Sequence, residues 1–190
     1  VPPIINNGGE WFQSLGTPES GGTKIYAISG HVERPGNYEV PMGTPFAELL
    51  ELAGGVRNGN QLKAVIPGGP SVPMVPGDIM MDANLDYESL AQAGTMLGAG
   101  SVIVMDETTC IVRAVERVAK FFFHESCGQC TPCREGSGWL YRIVQRIERG
   151  EGRMEDLDTL LDIGSRIEGR TICAFGDAEV APVSSSIKHF

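Results

Sequence analysis

The sequence lacks the features of an exported or membrane-spanning protein. It does not begin with Met, and its first ten residues contain no basic segment followed by an apolar stretch. No apolar run among its 190 residues is long enough to span a bilayer. We therefore expect no export signal and no direct membrane insertion in this stretch. The missing Met also indicates a piece of a longer protein, with further residues upstream of Val1.

A surplus of basic residues is also absent. The net charge is −9 at pH 7, which argues against a nucleic-acid-binding protein. The charge is unevenly distributed, because residues 108–153 contain eight basic and five acidic side chains while the flanking parts are acidic. Two interpretations remain open: solvated helix faces, or cationic groups that offset an anionic centre held by thiolates.

Cysteine is absent from the first 109 residues, and all five cysteines follow. A full disulfide framework would leave one of five unpaired and would spread its bridges over the chain. The clustering therefore favours a reducing compartment and a metal site.

Three cysteines, Cys127, Cys130 and Cys133, are spaced Cys-x2-Cys-x2-Cys, and Cys173 follows far downstream. A loop with this spacing can curl so that three sulfurs reach one compact centre, to which a second loop adds the fourth. Both zinc and a [4Fe-4S] cluster accept four thiolates. The three-plus-one division favours the cluster, with a zinc-stabilised structural module as the alternative and a disulfide protein third.

Gly128 and Pro132 shape the loop between these thiols. Gly128 lets the chain bend and is predicted to bring its amide close to a sulfur, while Pro132 constrains the loop before Cys133. Hydrogen bonds from such amides, together with the positive charge nearby, would raise the reduction potential of a cluster.

The fifth cysteine and the three histidines have weaker sequence evidence for a role in a metal site. Cys110 is interpreted as a small buried hydrophobic residue, and His124 as a surface group or a neighbour of the ligands. No spacing pattern pairs His31 or His189 with other candidate ligands, so neither is assigned a role. No Gly-x-Gly-x-x-Gly follows a strand and no nucleophile motif is present, so an electron carrier is the simplest interpretation.

Hydrophobic periodicity predicts two domains after a leading segment at 1–22, and the first comprises residues 23–106. Its pattern predicts a hairpin with a type II turn that needs positive φ at Gly36, and a helix capped by Thr44. This helix is expected to end at Gly54 and Gly55, with further strands at 64–66 and 101–105. The arrangement predicts a small β-grasp domain of the α+β class. The turn-rich path at 67–100 is the least defined part.

Residues 107–190 read as four short helices, which predicts a C-terminal four-helix bundle. We expect Thr109 to cap the first, the second to run from about 135 to 149 with Trp139 buried, Gly164 to interrupt the third, and the fourth to begin near Pro182. The three closely spaced cysteines would then lie between the first two helices, and Cys173 between the last two.

Several segments together resemble a known family, the flavoprotein NADH-binding subunit of respiratory complex I. They are Glu-Ser-Cys-Gly-Gln-Cys-Thr-Pro-Cys-Arg-Glu-Gly at 125–136, Glu-Gly-Arg-Thr-Ile-Cys-Ala at 168–174 and the closing Ile-Lys-His-Phe. Ser-Gly-His-Val at 29–32, Pro-Gly at 35–36 and Pro-Gly-Gly at 67–69 resemble that subunit's ubiquitin-like β-grasp domain. Diaphorase subunits of NAD-reducing hydrogenases and formate dehydrogenases share these parts, so the parent complex is less defined than the family.

The resemblance implies a [4Fe-4S] cluster on Cys127, Cys130, Cys133 and Cys173, as both metal and cofactor ligands. It implies FMN and NADH sites in an upstream half that this chain lacks, so residues 1–22 would be the remnant of that half and the chain alone should not oxidise NADH. The implied partners are other hydrophilic subunits, especially a small iron-sulfur subunit and the next cluster-carrying subunit. The implied location is peripheral to the inner membrane, on its cytoplasmic or matrix side.

Overall fold

The computed structural model describes all residues from Val1 to Phe190. The fold is mixed α/β and divides into two compact units. The first comprises residues 1–69 and 75–108, and the second comprises residues 70–74 and 109–190. No helix in the chain combines the length and apolar character needed to cross a membrane.

The first unit contains a five-stranded sheet, five short α-helices and one turn of 3-10 helix at Arg57–Gly59. In chain order the strands and α-helices are α1 Pro2–Asn7, α2 Gly9–Gln13, β1 Thr23–Gly30, β2 Gly36–Pro41, α3 Phe46–Leu52, β3 Leu62–Ile66, β4 Val75–Pro76, α4 Gly77–Met81, α5 Tyr87–Gln92 and β5 Ser101–Asp106. The predicted later strands are confirmed, each one or two residues longer than expected. The turn-rich path at 67–100 holds β4, α4 and α5, which the sequence pattern did not indicate.

The strand order in the sheet is β2-β1-β5-β3-β4. Strands β1 and β5 run parallel, and the other neighbouring pairs are antiparallel. Tyr26 and Ile28 alternate with exposed residues along β1 and bury their side chains in the same cluster as Phe46 and Leu49 of α3. Burying each of these large side chains contributes about 1.5–3 kcal/mol, so α3 is held mainly by its apolar face.

The hairpin is confirmed, but its predicted turn is wrong. Gly36 belongs to β2 and pairs with Ile28, and it does not adopt positive φ. The positive φ falls instead on Gly30, at 85°, where β1 ends. Five residues join the strands, so the chain needs no tight two-residue turn.

The predicted cap of α3 is also wrong. The Thr44 hydroxyl donates to the Pro41 carbonyl at 2.8 Å, and no side chain caps the helix. The N–H of Phe46, the first helical residue, donates to the Ala83 carbonyl at 3.0 Å. This tertiary contact satisfies an amide that a capping side chain would otherwise serve.

A buried carboxylate, Asp106, ends β5. Its oxygens accept hydrogen bonds from the Thr108 hydroxyl at 2.6 Å and from Asn60 Nδ2 at 2.9 Å, and His31 Nδ1 lies 2.7 Å away. These bonds, the Thr108 hydroxyl first, hold the pKa of Asp106 well below its usual range despite its burial. His31, which had no predicted role, therefore belongs to a polar network in this unit.

We expect Asp106→Asn to destabilise the protein at neutral pH and to weaken its acid dependence. A lowered folded-state pKa means that Asp106 stabilises the fold fully above the unfolded value of about 3.9, and this contribution is lost progressively as the pH falls from that value toward the lower folded-state pKa. Urea unfolding gives the free energy of unfolding of wild type and variant at pH 7 and at pH 3. The difference between the two proteins should be smaller at pH 3 than at pH 7. The exposed Asp78→Asn serves as the matched control. An equal difference at both pH values would contradict the prediction.

The second unit contains four helices in mutual contact: α6 Ile111–Glu125, α7 Thr131–Glu148, α8 Glu155–Ile167 and α9 Phe175–His189. Helices α6, α7 and α8 are amphipathic at helical spacing, and Val115, Leu140, Leu160 and Val183 are among the buried residues of the four helices. Asp156, in the first turn of α8, pairs with Arg146 of α7 and accepts the Arg153 N–H at 2.8 Å. This carboxylate links two helices and satisfies an amide at a helix start.

Several predicted helix limits in this unit are wrong. Helix α6 has Cys110, not Thr109, at its N-cap, α8 continues through Gly164, and α9 begins at Phe175 with Pro182 inside it. Gly164 is buried where an added Cβ would press on Val180 of α9. The close approach of these helices explains the glycine, so it does not mark a helix break.

Helix α7 begins four residues earlier than expected, at Thr131. Trp139 is 51% exposed, so its predicted burial is wrong. The buried face of this part of α7 is formed by the small residues Gly136, Ser137 and Gly138, against which Ile167 of α8 and Phe123 of α6 pack. A tryptophan cannot occupy that face, because the neighbouring helices approach too closely.

Candidate metal centre

The predicted ligands lie at the ends of α6, α7 and α9. Cys127 lies in the connection after α6, Cys130 is the N-cap of α7, and Cys133 lies in the first turn of α7. Cys173 lies two residues before α9. Cys133 was expected in a loop, but the earlier start of α7 places it on the helix, where its side chain is buried.

All four of these cysteines line one cavity of about 150 Å³. The other lining residues are Glu125, Ser126, Gln129, Thr171, Phe175 and Gly176. Cys127 and Cys173 are exposed, Cys130 is partly buried and Cys133 is buried. The structure therefore brings together side chains separated by 40 residues, as the spacing argument requires.

All four cysteines line this cavity, but their side chains do not converge on one metal-ion position. No group of three or more His, Cys, Asp or Glu side chains in the chain is arranged to hold a metal ion. All five cysteines are unpaired. The cavity thus offers soft sulfur donors on its walls, the donor type that suits zinc or an iron-sulfur cluster.

Two sulfurs have hydrogen-bond partners from the protein. The Ile172 N–H donates to Cys130 Sγ at 3.3 Å, which links the loop of Cys173 to the start of α7. Ser126 Oγ lies 3.2 Å from Cys133 Sγ. The Gly128 N–H, which was predicted to approach a sulfur, donates instead to Ser126 Oγ at 3.3 Å, and Gly128 has φ of 76°.

The carboxylate of Glu179 lies beside Cys133, with Oε2 3.7 Å from Sγ, and its Oε1 has no hydrogen-bond partner. Glu179 is 1% exposed, and burial raises its pKa above the ordinary value. Burial also raises the pKa of the Cys133 thiol. Sequence reasoning missed Glu179 because nothing in the pattern of α9 distinguishes it from a surface residue. Ser126 could have been found as the hydroxyl next to Cys127.

The other singled-out residues lie outside the cavity lining. Cys110 is exposed and its Sγ lies 3.6 Å from Glu148 Oε2, so its interpretation as a buried hydrophobic residue is wrong. His124 contacts the ring of Phe123. Arg134, from the positively charged part of the sequence, donates to the Gly128 carbonyl at 3.0 Å. This bond connects α7 to the loop between Cys127 and Cys130.

Two family descriptions match separate parts of the chain. Residues 113–190 match the NADH-ubiquinone oxidoreductase-F iron-sulfur binding region, and residues 25–75 match the SLBB domain. The first match contains all four cavity cysteines.

Similar proteins extend over the whole chain. The NADH-quinone oxidoreductase F subunit of Rickettsia bellii (strain OSU 85-389) is 51% identical over 192 residues, covering 100% of this chain and 46% of that protein. The corresponding F subunit of Mycobacterium tuberculosis (strain ATCC 25618 / H37Rv) is 53% identical over 190 residues, covering 100% of this chain and 42% of that protein. The chain thus spans less than half the length of these relatives.

The chain is also similar to a solved structure. An NAD+-reducing [NiFe]-hydrogenase in the H2-reduced state matches with a TM-score of 0.89 and 33% identity, covering 99% of this chain and 32% of that chain. Its identity is lower than that of the two NADH-quinone oxidoreductase proteins. The chain is therefore similar over its whole length to part of the NADH-quinone oxidoreductase F subunits, and its residues 113–190 belong to their iron-sulfur binding region.

Proposed function

We propose that this chain is the electron-transfer module of an NADH:quinone oxidoreductase flavoprotein subunit. Cys127, Cys130, Cys133 and Cys173 hold its [4Fe-4S] cluster. The observation that carries the proposal is the meeting of these four cysteines, from two distant segments, around one cavity. When bound, the cluster supplies a site that accepts and releases single electrons.

The size of the cavity supports a cluster over a single zinc ion. Zinc bound by four thiolates at about 2.3 Å draws its sulfurs together around one point. The cavity here is about 150 Å³, whereas a cavity of about 10–15 Å³ already admits one water molecule, so a group of several atoms fits among the residues that line it.

The residues around the cavity have distinct roles in this proposal. Burial of Cys133 excludes water from one wall, and the Ile172 amide and the Ser126 hydroxyl donate to two of the thiolates. Arg134 braces the loop through the Gly128 carbonyl. The exposed Cys127 and Cys173 leave the opposite side of the cavity open to an electron donor or acceptor.

The domain organisation is part of the same proposal. Residues 23–106 form a ubiquitin-like β-grasp domain, supported by the sheet order, by α3 on its core and by the SLBB match. Residues 107–190 form a four-helix bundle, supported by the contacts among α6 to α9. Residues 1–22 are the remnant of an upstream flavin-binding domain and its linker.

In the parent subunit, FMN and NADH would bind in the upstream half, and the cluster held by Cys127, Cys130, Cys133 and Cys173 would supply single-electron transfer from FMN to further iron-sulfur centres. The partners are a small iron-sulfur subunit and the next cluster-carrying subunit, on the cytoplasmic or matrix side of the inner membrane. The second candidate is a diaphorase subunit of an NAD-linked hydrogenase or formate dehydrogenase. The likeness to the NAD+-reducing hydrogenase favours it, and the higher identity to the NADH-quinone oxidoreductase proteins favours the first.

The proposal is tested by comparing the 190-residue chain with a protein extended by the upstream half of the subunit. We expect both to bind iron, but only the extended protein, loaded with FMN, to reduce a dye with NADH. The physical reason is that a cluster accepts single electrons, whereas NADH delivers a hydride that needs the flavin. An extended, FMN-loaded protein without this activity would contradict the proposed parent function.

A further inference from the structure

The four cavity cysteines differ in their surroundings, and those of Cys133 differ most from the others. It is 7% exposed, whereas Cys127 and Cys173 are exposed, and it is the sulfur that two polar side chains contact. One of these side chains is Ser126, the residue that follows the last turn of α6. The Ser126 N–H donates to the Phe122 carbonyl at 3.0 Å, so the helix end determines where this side chain lies.

The surrounding hydrogen bonds decide the direction of the Ser126 contact. Ser126 Oγ accepts the Gly128 N–H at 3.3 Å, which uses one of its lone pairs and leaves its own hydrogen free to donate. Cys133 Sγ lies 3.2 Å from the same oxygen. A cysteine that binds metal is deprotonated, so its sulfur can only accept. The hydroxyl is therefore the donor to this thiolate.

A hydrogen bond to a ligand sulfur acts unequally on the two oxidation states of a cluster. Adding one electron increases the negative charge on the sulfurs, so a donor stabilises the reduced state more than the oxidised state. The site is partly buried, and a hydrogen bond in a low-dielectric environment is electrostatically stronger than one in water. The Ser126 hydroxyl should thus shift the reduction potential upward without exchanging a proton.

We propose that Ser126 is a positioning residue that holds Cys133 and raises the reduction potential of the cluster through an O–H···S hydrogen bond. This inference rests on the proposed function, because it requires a cluster on Cys133. Ser126 anchors two partners at once: the Gly128 N–H in the cysteine loop and Cys133 on α7. It therefore connects the end of α6 to the loop and to the start of the next helix.

The test is the midpoint potential of the purified, cluster-loaded protein, titrated with dithionite and followed by electron paramagnetic resonance, with iron content measured on the same samples. We expect Ser126→Ala to retain iron and to have a more negative midpoint potential than wild type. Ser126→Thr keeps the hydroxyl and should restore the wild-type potential. Ser165→Ala is the matched control, since its exposed hydroxyl donates to the Asp162 carbonyl on α8, and it should leave the potential unchanged.

The outcomes separate this inference from the proposed function. Iron-loaded Ser126→Ala with an unchanged or more positive potential would overturn the inference and leave the cluster assignment intact. Loss of iron in Ser126→Ala with full loading and normal potential in Ser126→Thr would support it, because a hydroxyl is then required at this position. Loss of iron in both variants would overturn it. A wild-type protein that binds no iron would reject the proposed function and this inference together.

Discussion

Cys130→Ser should yield a protein that no longer binds a full complement of iron and lacks the broad visible absorption of an iron-sulfur protein. The substitution replaces a soft thiolate by a hydroxyl, which is a poor ligand for a cluster. It also removes the sulfur that accepts the Ile172 N–H, so the loop of Cys173 loses a contact with α7. Metal analysis together with the visible spectrum of reconstituted protein measures both effects.

Cys110→Ser provides the matched control for this experiment. Cys110 is exposed and lies outside the cavity lining, so its replacement should leave the iron content and the spectrum unchanged. Full iron loading of Cys130→Ser would remove Cys130 from the ligand set. A colourless wild-type protein that carries stoichiometric zinc would contradict the [4Fe-4S] cluster. It would support the zinc-stabilised structural module instead.

Gly30→Ala should lower the free energy of unfolding by roughly 3 kcal/mol or more. Gly30 has φ of 85°, and holding a non-glycine residue in such a region costs of the order of 1–3 kcal/mol. The new Cβ would also overlap the Val104 carbonyl oxygen of β5, a backbone atom in the neighbouring parallel strand. The sheet would have to shift to relieve that overlap.

The matched control is Gly36→Ala in the same hairpin. Gly36 lacks positive φ, and its added Cβ would find its nearest neighbour, Tyr38 Cε2, at 3.7 Å, which is ordinary contact. Its effect should stay below about 1 kcal/mol. Urea denaturation followed by circular dichroism compares the two variants with wild type, and equal stabilities of the two variants would refute the assignment of Gly30 as the strained position.

The contrast between Gly30 and Gly36 shows why the hairpin was predictable and its turn was not. Alternating apolar residues around a Pro-Gly pair indicate two strands, and the structure pairs them. The position of positive φ depends on where β1 leaves the sheet, and this is decided by β5, more than 70 residues away in sequence. Thr44 failed as a cap for a related reason, because Ala83 satisfies the amide at the start of α3.

The helical part of the chain shows the same contrast between features that the sequence predicts and features that tertiary packing decides. Periodic apolar residues predicted the existence of four helices, but glycine and proline were poor guides to their limits. Gly164 lies within α8 because Val180 packs against it, and Pro182 lies inside α9. Local propensity is a weak prior that helix packing overrides.

The sequence by itself determined the number and chemical type of the candidate ligands. Three thiols at minimal spacing and one downstream are a local property of the chain, and that spacing required a common centre. Only the tertiary structure decided which sulfur is buried and what surrounds it. Cys133, Ser126 and Glu179 come from α7, the end of α6 and α9, and their contacts depend on how these helices pack. The environment that would tune a cluster is therefore a property of the fold, whereas the candidate ligand set can be read from the sequence.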